Sequence, residues 1–315
     1  MIPRVAALLF LTLGPATVAA QTGGATHVLL ITGLSAEPRF AAQFAKAAAT
    51  VYDAAHASWH VADSSLIYLS EDPAADAKRM NGKATKLAIA DAFVRLSRRV
   101  HAGDVVLVVL IGHGSGEMQN SAVNVSGPDP VAADYATWLG PLAPAAVVFV
   151  NAATASGDFA KILAGPNRVI VTATKTGMEK NESVFAGYFA TGLTGTESDA
   201  DKDGRISIVE AFEYAKTQVA KLYESTDRLL TEHALLVDSS GIAGRIAFGG
   251  DATSADPRIA ALVGERRILE ASVDSLRRIK TTMDSTTYSR ELERLLLDVA
   301  RKSQAIKALQ PGGKP

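Results

Sequence analysis

Short apolar runs alternate along the chain with longer stretches in which apolar residues recur three and four positions apart. His27 to Thr32 (HVLLIT) is such a run and ends at Gly33; from Pro38 through Ala55, Phe40, Phe44, Ala47 and Val51 then mark one helical face. That order predicts strand, loop, helix. Ser65 to Leu69 (SLIYL) predicts a second strand, and Thr85 to Val100 a second helix burying Leu87, Ile89, Phe93 and Leu96. Asp104 to Ile111 (DVVLVVLI) is apolar at both alternating phases, as a strand covered on both faces must be. Val147 to Val150 and Arg168 to Ala173 repeat the pattern. Strands alternating with helices predict an α/β fold with a mostly parallel sheet between two helical layers, over residues 25–250.

The periodicity changes after Asp256. Leu262, Leu269, Leu276 and Met283 fall at sevenfold spacing, and Tyr288, Leu292, Leu295, Val299 and Ile306 follow a break at Asp284-Ser285-Thr286. Residues 256–310 therefore predict a helical hairpin resembling a coiled coil, with faces for self-association or a partner. Phe248 to Ser254 (FGGDATS) reads as a linker and Pro311 to Pro315 as a disordered tail.

Composition narrows the function classes. The 315 residues are 48% hydrophobic and 21% charged, with a net charge of -1, which gives no general attraction to nucleic acid or anionic membrane. The first twenty residues place Arg4 ahead of an apolar stretch from Val5 to Leu13, then a Gly-Pro break and Val18-Ala19-Ala20. This pattern predicts a cleaved signal peptide over 1–20, with export to the periplasm or beyond, since the stretch is too short to span a bilayer. There is no cysteine, which excludes disulfides, thiolate metal ligands and every thiol mechanism.

In open parallel sheets, ligands gather beyond the carboxyl ends of strands. Two strand ends carry candidate chemistry. Gly112-His113-Gly114-Ser115 follows DVVLVVLI: a histidine between glycines can act as a base while Gly114 offers a backbone N–H. Ala152-Ala153-Thr154-Ala155-Ser156-Gly157 follows the other strand, an unbroken small stretch over which another backbone has room to pass. Neither Ser115 nor Ser156 fits the Gly-x-Ser-x-Gly nucleophile elbow, because His113 and Thr154 stand where its first glycine belongs.

A strand-end His-Gly paired with a later strand ending in Ala-x-x-Ser-Gly resembles the caspase-like fold of the legumain, caspase and metacaspase cysteine peptidases. The resemblance implies a caspase-like α/β/α sandwich, a catalytic pair at His113 and Thr154, and substrate or oxyanion contacts at Gly114, Ser156 and Gly157. Thr154 stands where that family carries its cysteine. A thiol, with a pKa of about 8.5, is readily activated by a neighbouring histidine, whereas a secondary alcohol is far less acidic. Three readings are open: a peptidase-like scaffold that binds a peptide or protein without cutting it, a hydrolase using Thr154 or Ser156 with His113 as base, and an interaction protein acting through its C-terminal helices.

Asp199-Ala-Asp201-Lys-Asp203-Gly204-Arg205-Ile206-Ser207-Ile208-Val209-Glu210 matches the twelve-residue EF-hand calcium loop at each diagnostic position. Asp199, Asp201 and Asp203 supply carboxylates, Gly204 the bend, Arg205 its carbonyl, Ser207 its hydroxyl or a water, and Glu210 a bidentate carboxylate at the start of a helix. A single calcium ion bracing the structure is the expectation. His56 and His60 lack the glutamate of a zinc-protease motif, since Ala57 occupies that place. Glu232-His233 is assigned a structural role, and Arg98-Arg99, Arg266-Arg267 and Arg277-Arg278 are read as solvated helix faces.

Overall fold

The computed structural model describes residues 24–202, 204–248, 257–278, 280 and 283–309. The expected signal peptide, Asp203, most of the linker and the 311–315 tail lie outside the described residues.

Eleven strands and eight α-helices are found among the described residues. β1 (Thr26–Thr32), β2 (Leu66–Ser70), β3 (Gly82–Lys83), β4 (Val105–Ile111), β7 (Ala146–Asn151), β8 (Arg168–Thr172) and β10 (Leu235–Asp238) form a seven-stranded sheet in the order β10-β8-β7-β4-β1-β2-β3. Six strands run parallel and β10 pairs antiparallel with β8 at the edge. Two ribbons lie outside it: β5 (Gly114–Ser115) with β6 (Ala122–Val123), and β9 (Ile206–Ser207) with β11 (Ala247–Phe248).

Strand alternation sorts the core into two layers. Val148 and Val150 face α1 (Pro38–Ala57), α5 (Phe185–Thr194) and α6 (Ile208–Ser225). Val147 and Phe149 face α2 (Lys86–Ser97), α3 (Ala132–Leu139) and α4 (Asp158–Leu163). Helices thus cover both faces, which explains why β1 and β4 can be apolar throughout. Phe40, Phe44, Ala47, Ala48, Val51 and Ala55 are the buried stripe of α1. Thr85 caps α2 by accepting the Ala88 N–H at 3.2 Å, a contact that stabilises a helix by about 1 kcal/mol. Leu87, expected in the core, is 72% exposed. It falls off the face formed by Ile89, Ala92, Phe93 and Leu96, roughly 200° round the helix from Ile89.

Two C-terminal helices, α7 (Pro257–Arg278) and α8 (Ser285–Leu309), pack through Ile259 and Val263 on Ile306 and through Val273 and Leu276 on Leu295. Arg266 corrects the expectation of a solvated face. It is only 2% exposed, lies in sequence between those two apolar clusters, and places Nη1 3.1 Å from Asp201. The reason is spacing: Ile259, Arg266 and Val273 share a sevenfold phase, so the residue on the packed seam is Arg266. No described helix is long and apolar enough to cross a membrane.

Candidate functional site

β4 and β7 are adjacent and parallel, so His113 and Thr154 both emerge at the carboxyl end of the sheet, from neighbouring strands. The turn after β4 begins at Gly112, where a Cβ would come within 3.3 Å of the Gly33 backbone. The His113 ring meets the edges of Phe40 and Phe44, with centroids 4.7 and 5.3 Å away. Its carbonyl accepts the Asn124 N–H at 2.9 Å. Two α1 aromatics therefore hold the imidazole, and among the described residues no carboxylate bonds to it.

Gly114 joins the two turns. Its N–H donates to Thr154 Oγ1 at 3.0 Å, and a Cβ at this position would sit 2.1 Å from the Thr154 carbonyl oxygen. Thr154 is 3% exposed. Its hydroxyl also lies 3.4 Å from the Gly114 carbonyl oxygen, to which it can donate.

The remaining small residues are packed by the chain itself. Ala155 takes a left-handed φ of 51° and donates its N–H to the Glu179 carbonyl at 2.8 Å. Ser156 Oγ, 1% exposed, accepts the N–H groups of Ala173 (3.1 Å) and Thr174 (3.2 Å). The Gly157 N–H donates to Thr174 Oγ1 at 3.0 Å, and a Cβ there would lie 2.1 Å from the Lys175 carbonyl carbon. The backbone passing over this turn is that of residues 173–176. Of the three residues expected to contact substrate, Gly114, Ser156 and Gly157, each has its donor or hydroxyl bonded within the protein.

Charged contacts frame the strand ends. The segment after β8 is tied down by Lys180 to Glu117 at 3.2 Å, Glu182 to Arg39 at 3.2 Å, and Glu179 to His233 Nδ1 at 3.1 Å. Arg39 lies 4.1 Å above the Phe40 ring that holds His113. Buried Glu232 accepts the Val184 N–H through both oxygens, at 3.1 and 3.2 Å, at the start of α5. Burial pushes its carboxyl above the ordinary glutamate value, against the opposing effect of hydrogen bonds from Ser183, Val184 and Phe185. The expected structural role of Glu232 matches this placement.

The acidic loop lies between α5 and α6. Asp199, Asp201 and Glu210 each offer a carboxylate oxygen within 4.8 Å of the others. Gly204 takes φ 81°, and its N–H donates to Asp199 Oδ2 at 2.9 Å. Glu210 Oε1 accepts the Ala200 N–H at 2.9 Å and Oε2 the Ser207 N–H at 2.8 Å, so one carboxylate closes the loop from both ends. Ser207 Oγ donates to Glu210 Oε2 at 2.8 Å and accepts the Glu210 N–H, capping α6. The Arg205 guanidinium donates to the Ala247 carbonyl at 2.8 Å. Among the described residues the clustered carboxylates, Asp199, Asp201 and Glu210, are hard oxygen donors of the kind that suits calcium.

Sequence reasoning missed the Phe40–Phe44 clamp, the Ser156–Thr174 staple and the Arg266–Asp201 pair. Only the last left a readable signal, an arginine on an apolar sevenfold phase.

The fold is an α/β sandwich with a mostly parallel seven-stranded sheet and a C-terminal helical segment. No family model and no curated protein matches the chain. Among solved structures it is similar to protein GSU0716 from Geobacter sulfurreducens, with 12% identity and a TM-score of 0.44, covering 75% of this chain and 96% of that one. So distant a likeness carries no function across.

Proposed function

We propose that the chain is an exported, catalytically degenerate caspase-like protein that binds a peptide or protein segment beside His113 and Thr154 and carries one calcium ion in the 199–210 loop. The observation that carries this reading is the hydrogen bond from the Gly114 N–H to Thr154 Oγ1 at 3.0 Å. In a peptidase of this kind, the backbone donor beside the histidine serves the developing oxyanion and the nucleophile stays free to attack. Here the donor is bonded to the residue in the nucleophile position. His113 has two aromatic edges for partners, an arrangement that holds a ring in place without the carboxylate that orients a catalytic base.

Asp199, Asp201, Asp203 and Glu210 would hold calcium, with Ser207 and the Arg205 carbonyl completing the oxygen set. The ion would neutralise the carboxylates and brace the junction of α5, α6 and the β9–β11 ribbon. The test is cleavage and binding of a peptide library by the mature protein, with calcium and with chelator. Binding without cleavage supports the reading. Cleavage lost in both His113→Ala and Thr154→Ala would replace it with a hydroxyl-nucleophile hydrolase.

A further inference from the structure

At the opposite end of the sheet, where β2 begins and α2 ends, a cavity of about 590 Å³ is lined by Asp63, Ser64, Asn81, Arg95, Arg98 and Arg99 around an apolar floor of Leu66, Ile67 and Leu96. Its volume falls in the range of about 300–1,000 Å³ typical of small-ligand sites. The polar lining is almost entirely donors. Arg98 and Arg99 follow Arg95 by three and four positions, which brings them within one turn of it at the C-terminal end of α2. Arg99 is bonded to the Ser64 hydroxyl at 2.8 Å. Among the described residues, the Arg95 and Arg98 side chains have no hydrogen-bond or ion-pair partner. Asn81 Oδ1 accepts the Tyr68 N–H at 2.6 Å, and its amide nitrogen is left as a further donor. The one carboxylate in the lining, Asp63, is largely exposed and lies 3.4 Å from His56 Nε2.

Three guanidinium groups against one carboxylate leave an excess of positive charge and of planar, forked N–H donors. Guanidinium forks match the oxygens of phosphate and sulfate bidentately. A single carboxylate has too few acceptor sites to engage all three. We propose that this cavity binds a small ligand bearing at least two phosphate or sulfate groups. Arg95 and Arg98 engage the anionic groups, and Arg99 and the Asn81 amide add further donors at the rim of the same cleft. The site is independent of Thr154 and of the acidic loop. It gives a function to arginines that are otherwise only a solvated helix end.

The test is calorimetric titration of the mature protein with tripolyphosphate and, separately, with sucrose octasulfate at low salt, the relative affinity telling phosphate from sulfate. Expected is saturable binding of one or both ligands at one site. Arg95→Gln with Arg98→Gln should weaken it by about tenfold or more, each lost pair being a charge-assisted fork. Arg290→Gln, an exposed arginine on α8, should leave it unchanged. Failure of both ligands to bind, undiminished binding by the double variant, or equal loss in the Arg290→Gln control would each overturn the assignment.

Discussion

Ser156→Ala separates a hydroxyl that holds the fold from one that serves a ligand. Ser156 Oγ accepts two backbone N–H groups, from Ala173 and Thr174, and lies 3.2 Å from Thr174 Oγ1. At 1% exposure no solvent can replace it. Truncation leaves the buried Thr174 N–H unsatisfied, at about 1–3 kcal/mol, while the Ala173 N–H keeps its bond to the Asn151 carbonyl at 3.0 Å. The expected net destabilisation is about 2 kcal/mol, or roughly 4–8 °C in Tm for a domain of this size. Thermal and urea unfolding by circular dichroism would read it. Ser115→Ala is the matched control, because Ser115 makes one partly buried bond to Asn124; it should cost less than about 1.5 kcal/mol. A Ser156→Ala protein melting within about 1 °C of the parent would refute the reasoning and return Ser156 to the ligand.

Calcium should raise the Tm of the mature protein, by about 2.7 kcal/mol of added stability at a hundredfold excess over Kd, and Asp199→Asn or Glu210→Gln should abolish the shift. Gly157→Ala and Gly187→Ala should act in opposite directions. The first drives a Cβ into the 175–176 backbone, whereas the second fills open space within α5, so one is expected to lose several kcal/mol and the other to gain up to about 1 kcal/mol by denaturation. Glu232 titrates above its ordinary value of 4.5 because it is buried. The native state therefore holds that proton more tightly, and the stability from this group is full below 4.5 and lost as pH rises through the native value. The urea midpoint of wild type minus that of Glu232→Gln, followed across that window, should fall with rising pH; a flat difference would contradict the assignment.

The sheet strands named from the sequence were legible because each is a short apolar run closed by Gly, Asn or a polar turn; Val105–Ile111 and Arg168–Thr172 fall within one residue of the expected bounds. β3 and β10 were not. The first is two residues long, and the second is a four-residue, partly buried edge strand whose apolar run, Leu235-Leu236-Val237, is too short to tell strand from helix. Helices α3, α4 and α5 lack the long apolar stripe that exposes α1 and α6 to inspection. At the strand ends the sequence placed His113 and Thr154 on adjacent turns, but the partners of those turns come from far away in the chain. Ser156 meets Thr174, Ala155 meets Glu179, and His113 meets Phe40 and Phe44. Such pairings depend on tertiary closure, which spacing alone does not encode. The clustering of Asp199, Asp201 and Glu210 was legible because these carboxylates are local, all within one stretch of twelve residues.

The central claim is that this scaffold binds at His113 and Thr154 without cutting. The most direct test is exposure of the mature protein, with calcium, to a diverse peptide library whose cleavage products and retained peptides are both read by mass spectrometry, beside His113→Ala and Thr154→Ala. The account predicts retained peptides and no cleavage above that of the two variants. Turnover by the parent that disappears in both variants would contradict it.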